Sequence, residues 1–140
     1  MLFYFAIFLT VLSNVFYHIF QKSIPDNTHP IISLITTYMT AILFSVALFP
    51  FYPHKTEYLN SIKNLNWSSF ALGVAIVGLE MGFLLAYRAG WNINTAAVFS
   101  NVAVAIILIP IGLLFFKENL SIINLCGICF CIIGLFLIKQ

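Results

Sequence analysis

The segment from Ser68 to Tyr87 constrains this chain more than any other part of its sequence. It holds 20 residues with one charged side chain, Glu80, and no proline. A helix of that length, rising about 1.5 Å per residue, spans the roughly 30 Å hydrocarbon core of a lipid bilayer. The segment therefore predicts a membrane-spanning helix that carries a carboxylate just past its middle.

A carboxylate at this depth is costly, by about 2.5–3.5 kcal/mol on insertion scales. Chains that carry one shield it inside a helix bundle or a water-filled cavity, and it marks a substrate or ion path more often than not. At 100° per residue, Tyr87 and Gly73 lie on the same helical face as Glu80. We interpret Glu80 as a functional group. The alternative is a static anchor that is hydrogen-bonded across helices.

Composition supports a membrane location for the whole chain. Hydrophobic residues make up 62% of it and charged residues 7%, whereas soluble domains carry about a quarter charged residues. Because so few charged residues cannot form the solvated surface of a soluble protein, we predict an integral membrane protein surrounded by the lipid bilayer. The formal net charge is +2 and the basic residues are scattered singly, which argues against nucleic-acid binding.

Five apolar runs predict five transmembrane helices in an all-α polytopic protein. Turn residues separate the runs, and the loop over residues 51–66 is too polar to span and is predicted to lie at the membrane interface. The five spans account for one transmembrane domain over residues 1–140. Their predicted bounds are about 2–20, 31–48, 68–87, 96–116 and 122–138.

Polar side chains recur on single faces of these helices. A polar stripe on a membrane helix belongs against other helices rather than lipid. Hydroxyls can instead bond back to their own backbone, and a lone histidine can be purely structural. We predict a substrate- or ion-binding cavity lined by the polar groups of the first four helices: Asn14, His18, Thr37, Thr40, Glu80, Tyr87 and Asn101.

The last helix carries a face of small residues. Gly127, Cys131 and Gly134 follow one another at i, i+4 and i+7, a spacing that lets two backbones approach closely. This face predicts a dimer contact, with packing inside the monomer as the alternative. Cys126 and Cys129 form a C-x-x-C, but nothing completes a zinc site, so we predict no metal and no cofactor. No nucleophile–base pair or phosphate-binding loop is readable, so an enzyme is not expected.

The distribution of basic residues does not favour either orientation of the chain in the membrane. Five spans place three Lys or Arg residues on each side. A chain without bias favours insertion both ways round, and two opposed copies would form a pseudo-symmetric pair. A partner protein or the free N-terminus could instead fix one orientation.

The segment from Asn101 to Lys139 resembles the drug/metabolite transporter superfamily. It has a proline-bearing helix, a Lys-Glu turn and a helix of the form N-x-x-G-I-x-x-x-x-x-G, as in the last two helices of an EamA-type half. Carriers of that type generally have ten spans in two inversely related halves. The chain is similar to one half alone, as in the five-span bacterial and archaeal members.

The chain is also similar to the small multidrug resistance transporters with one span added. Those proteins carry a coupling glutamate in their first helix, and alignment by eye places Asn14 at its position. An amide does not exchange a proton at physiological pH, so proton coupling here would fall to Glu80 or His18.

The resemblance implies a carrier for a small molecule that works by alternating access in a bacterial or archaeal inner membrane. The carrier would be an antiparallel homodimer or a pair with a related five-span subunit. Two alternatives remain open at the level of sequence: a subunit of a lipid-linked sugar flippase, and a membrane interaction protein that transports nothing.

Overall fold

A computed structural model describes residues 2–51, 62–117 and 121–138 of the chain. These residues contain no strand, and their helices follow the five predicted runs. A short 3₁₀ turn, Phe49–Phe51, follows the second helix. The helices are α1 (Leu2–Ser23), α2 (Pro30–Leu48), α3 (Trp67–Arg88), α4 (Ile93–Phe115) and α5 (Ile122–Ile138). The all-α fold predicted from sequence is confirmed.

Four of these helical segments are long and apolar enough to cross a membrane. They are α1, α2 with its 3₁₀ turn, α3 and α4, each with 22 or 23 residues. The fifth helix, α5, has 17 residues and is at the short end of the roughly 17–25 residues that cross a bilayer.

Two helices are longer than their apolar runs predict. Helix α1 continues to Ser23, because the polar side chains of Gln21 and Lys22 donate hydrogen bonds to backbone carbonyls of α3. Helix α4 begins at Ile93, with Asn92 in the extended conformation of an N-cap. The predicted interfacial segment, residues 51–66, falls mostly on residues 52–61, which lie outside the described part of the chain.

The contacts divide the chain into two units. In the unit formed by Met1–Ile19 and Ala89–Gln140, α4 packs against α5. In the unit formed by Phe20–Arg88, α2 packs against α3, and the end of α1 is hydrogen-bonded to α3. The second unit contains Glu80.

Burial in this protein is the reverse of that in a soluble domain. Large apolar side chains are exposed along the helices, as Phe3 and Phe44 are at 73% and 65%. The buried side chains include three polar ones, His18, Gln21 and Glu80. Hydrocarbon chains solvate exposed apolar side chains as well as a protein core does, whereas polar groups must be shielded. This arrangement is the one that helices in a membrane require.

Gly90 is the position where the backbone most clearly requires glycine. Its φ is +96°, in the turn between α3 and α4. We expect Gly90→Ala to lower the free energy of unfolding by roughly 1–2 kcal/mol, because an L side chain is strained at positive φ. Thermal unfolding in detergent is the measurement.

The matched control is Gly78→Ala within α3. A Cβ built at Gly78 meets nothing within 4 Å among the described residues, and alanine favours the helix by roughly 0.5–1 kcal/mol. The two substitutions should therefore shift the unfolding temperature in opposite directions. Equal shifts of the same sign would contradict the strain at Gly90.

Candidate functional site

Glu80 is buried on α3, with 8% of its surface exposed. The Gln21 side-chain amide donates a 2.8 Å hydrogen bond to the backbone carbonyl of Glu80 and ties the end of α1 to the middle of α3. The carboxylate itself is less well satisfied, because its buried Oε2 atom has no hydrogen-bond partner among the described residues. A static anchor would have this oxygen bonded to a neighbouring helix, so the geometry favours an exchangeable partner.

A second unsatisfied polar atom lies nearby on α2. The hydroxyl of Tyr38 is buried and has no hydrogen-bond partner within the described ranges. Glu80 lies close enough to interact electrostatically with this phenol. Buried polar atoms without a partner are rare and point to an unseen group. A carboxylate beside a phenol can hold a proton, an ammonium group or a small cation.

Tyr38 was missed by the sequence analysis. On this helix the sequence analysis predicted Thr37 and Thr40 as lining residues and not Tyr38. The available signal was the phenol itself, since a tyrosine in a membrane span needs a partner for its hydroxyl. Sequence spacing does not show that this particular tyrosine lies beside Glu80.

The two predicted threonines occupy exposed positions on α2. The Thr40 hydroxyl donates a 2.9 Å bond to the carbonyl of Thr36 on its own helix, which is the structural role that threonines in helices often play. Thr37 is also exposed. Neither residue is among those that line the pocket described below, and their part in a binding site stays a prediction.

On α3, Tyr87 is buried with 4% of its surface exposed, and the ring of Phe83 stacks on it at 5.9 Å. Tyr87 and Glu80 are thus both withdrawn from the surface, as their shared helical face predicts. The intervening Leu84 is the most deeply buried residue described, with 1% exposed.

The remaining predicted lining residues belong to the other unit. His18 is buried, with 5% of its surface exposed, and its ring meets the Tyr17 ring edge-on at 5.2 Å. Asn14 and Asn101 are exposed on α1 and α4. Their amides therefore need a cover that the described residues of one chain do not supply.

Two cationic side chains organise the end of α3. The Lys22 ammonium donates to the carbonyl of Tyr87 at 3.0 Å and lies 5.5 Å from the centre of that ring. Arg88 Nη2 donates to the carbonyls of Thr28 at 2.6 Å and Pro25 at 3.2 Å. Sequence reasoning missed both contacts, because the partners are at least 60 positions apart and no local pattern marks them.

The small-residue face of α5 is uncovered. Gly127 and Cys131 are exposed and Gly134 is partly exposed, and a Cβ built at either glycine meets nothing within 4 Å in the described part of the chain. Cys126, Cys129 and Cys131 are free thiols. Residues 2–51, 62–117 and 121–138 contain no cluster of three or more His, Cys, Asp or Glu side chains that could hold a metal ion.

Comparison with protein-family models identifies a family for this chain. The sequence model of the EamA-like transporter family matches residues 1–140, the whole chain. No curated protein and no solved structure matches the chain.

The hydrogen bond from Gln21 to the Glu80 carbonyl yields a stability prediction. We expect Gln21→Met to lower the free energy of unfolding by about 1 kcal/mol, because interhelical hydrogen bonds in membrane proteins contribute roughly that much. Thermal unfolding in detergent measures it. Thr40→Val is the control, since its hydroxyl bonds only to its own helix, and it should leave stability nearly unchanged. Equal losses in the two variants would show that the Gln21 bond contributes nothing specific.

Proposed function

Because the chain belongs to the EamA-like transporter family, we propose that it carries a small molecule across the membrane by binding it at the buried carboxylate of Glu80. The family match over the whole chain confirms the resemblance drawn from its last two helices. Members of the family are membrane transporters of the drug/metabolite type, not enzymes. The apolar helices and the family together make this an integral membrane protein.

The observation that carries the proposal is the unsatisfied polar pair on α2 and α3. Glu80 Oε2 and the Tyr38 hydroxyl are both buried, and neither has a hydrogen-bond partner in the described part of the chain. Leaving such atoms unpaired costs roughly 1–3 kcal/mol each. A ligand or a proton bound between the two groups would remove that cost, which supports a binding role for the pair.

The chemistry of the pair defines the class of ligand. A carboxylate in an apolar bundle attracts a cation, and a phenol supplies both a hydroxyl and a ring face for an ammonium group. A carboxyl can also carry a proton in place of the cation. Asn14 cannot do so, because an amide does not titrate near neutral pH. We therefore propose exchange of protons for an organic or small inorganic cation, with His18 as the second buried titratable group.

A second copy of the chain, or a related five-span subunit, completes the carrier in this proposal. Exposed amides at Asn14 and Asn101 would be costly against lipid, and a partner would cover them. The even division of basic residues supports an antiparallel arrangement, in which one subunit rocks against the other around the site. The membrane would be the inner membrane of a bacterium or archaeon.

Substitution of Glu80 tests the transport proposal directly. We expect Glu80→Gln to fold but to abolish the pH dependence of cation movement, and Glu80→Asp to retain part of it. Tyr38→Phe should weaken cation binding without removing the pH dependence. The measurement is uptake of a panel of primary and quaternary amines into reconstituted vesicles under an imposed pH gradient.

Ser45→Ala on α2 serves as the control for substitution within the same pair of helices, because its exposed hydroxyl donates to the carbonyl of Ala41 on its own helix, and its transport should match that of the unmodified chain. If Glu80→Gln carries amines with unchanged pH dependence, Glu80 is a structural anchor and the proposal fails.

The proposed dimer has its own test on α5. We expect Gly127→Leu or Gly134→Leu to reduce the dimer fraction several-fold, because a bulky side chain holds the two backbones apart. Cross-linking in lipid and single-molecule counting of subunits measure it. Gly78→Leu on α3 is the control, since it makes the same change on a different helix.

Unchanged dimer content in both α5 variants would place the interface elsewhere. In cells, the accessibility of a C-terminal tag tests the antiparallel arrangement, for which both orientations are expected; a single orientation that adding one Lys to a loop does not change would contradict it.

A further inference from the structure

A pocket of about 280 Å³ lies where α1 and α3 end, beside the turn that leads to α2. Its walls come entirely from the unit Phe20–Arg88. Its position is set by the ends of two membrane-spanning helices, so it lies at the level of the lipid headgroups. The lining residues are Gln21, Lys22, Ser23, Ile24, Pro25, Asp26, Leu84, Tyr87 and Arg88.

Arg88 is fixed in the wall of this pocket. Its Nη2 group donates hydrogen bonds to the carbonyls of Pro25 and Thr28. These neutral acceptors use the donors of Nη2 but do not neutralise the positive charge of the guanidinium. Its Nε–H is buried and has no acceptor among the described residues. A preoriented guanidinium with a buried donor still to satisfy suits an oxyanion, because its planar fork matches phosphate and carboxylate oxygens.

Taken with Arg88, the charged side chains of the lining, Lys22 and Asp26, leave a net charge of +1, which favours an anion. Lys22 adds a second cation, held at the Tyr87 carbonyl, and Asp26 adds one carboxylate, which is exposed. The C-terminal carbonyls of α1 and α3 would repel an anion. The hydrogen bond from Lys22 to the Tyr87 carbonyl offsets part of that repulsion, and the positive charge of Arg88 offsets more of it.

From this pocket we infer a binding site for the phosphate of a phospholipid headgroup. Its volume is just below the roughly 300–1,000 Å³ of pockets that hold drug-sized ligands, so it suits a headgroup-sized one. Phe20, 65% exposed one turn before the end of α1, offers an apolar surface beside which an acyl chain can lie. Inorganic phosphate carries the same anionic group but has no acyl chain to pack against Phe20, so it should bind more weakly. The site is separate from Glu80 and does not depend on the transport proposal.

The test uses the full chain purified in detergent. Phosphatidylglycerol, a diacylglycerol with the same acyl chains, and inorganic phosphate are added separately. Retained lipid is measured by native mass spectrometry and stabilisation by thermal unfolding, since binding raises stability by mass action. We expect phosphatidylglycerol to bind and stabilise, diacylglycerol to do neither, and inorganic phosphate to act only at much higher concentration.

Three variants locate the interaction. Arg88→Gln should weaken phosphatidylglycerol binding about tenfold or more, the scale of a lost charge-assisted hydrogen bond. Asp26→Asn should strengthen it about threefold by removing a nearby like charge. Lys63→Gln, which removes an exposed basic charge outside the pocket, should leave binding unchanged.

Several outcomes would overturn the inference. Equal retention of diacylglycerol would show that acyl contacts alone hold the lipid, and equal potency of inorganic phosphate would make the pocket a site for soluble anions. A loss in Lys63→Gln as large as that in Arg88→Gln would indicate unspecific attraction. If Arg88→Gln does not fold, Asp26→Asn decides: stronger phosphatidylglycerol binding supports the site, and unchanged or weaker binding rejects it.

Discussion

The structure depends on a constraint that the bilayer imposes, namely that polar groups within it must find partners inside the protein. Long-range hydrogen bonds donated by three side chains meet that constraint. Gln21 reaches the Glu80 carbonyl, Lys22 reaches the Tyr87 carbonyl, and Arg88 reaches the Thr28 carbonyl, across 59, 65 and 60 positions respectively. Together these bonds join the end of α1, the turn that follows it and the second half of α3. The other side chains of these segments are mostly apolar, and apolar contacts do not specify one arrangement of the helices.

The two parts of that junction differ in what their polar groups bond. At the end of α3 the cations Lys22 and Arg88 donate to backbone carbonyls, although Arg88 Nε has no acceptor among the described residues. In the middle of α3, Glu80 Oε2 has no hydrogen-bond partner among the described residues, and neither has the Tyr38 hydroxyl on α2. Under the transport proposal, the bonded end would hold the backbone of α3 in place while Glu80 exchanges its ligand.

Sequence reasoning predicted the spans well because the membrane imposes a length and an apolar composition that each run displays directly. It also placed Glu80 and Tyr87 away from the surface, since seven residues return a helix to the same face. It could not show that Tyr38 lies within electrostatic range of Glu80, and it missed the carbonyl partners of Lys22 and Arg88, because these interactions join distant segments. Asn14 and Asn101 are exposed in the single chain, and their place in the lining stays a prediction. Periodicity shows which residues share a face but not what covers that face.

Which polar groups the single chain buries follows the free-energy cost of exposing each group to hydrocarbon. A carboxylate in hydrocarbon costs about 2.5–3.5 kcal/mol even on the most lenient scales, whereas an unpaired amide costs roughly 1–3 kcal/mol in proteins. The single chain buries Glu80 and leaves Asn14 and Asn101 exposed. The single chain therefore buries the carboxylate, whose exposure to hydrocarbon costs the most, and leaves the two amides, whose exposure costs less, on its surface. If a second subunit covers those amides, as proposed, association would add free energy after the single chain has entered the membrane, so insertion and association would be separate steps.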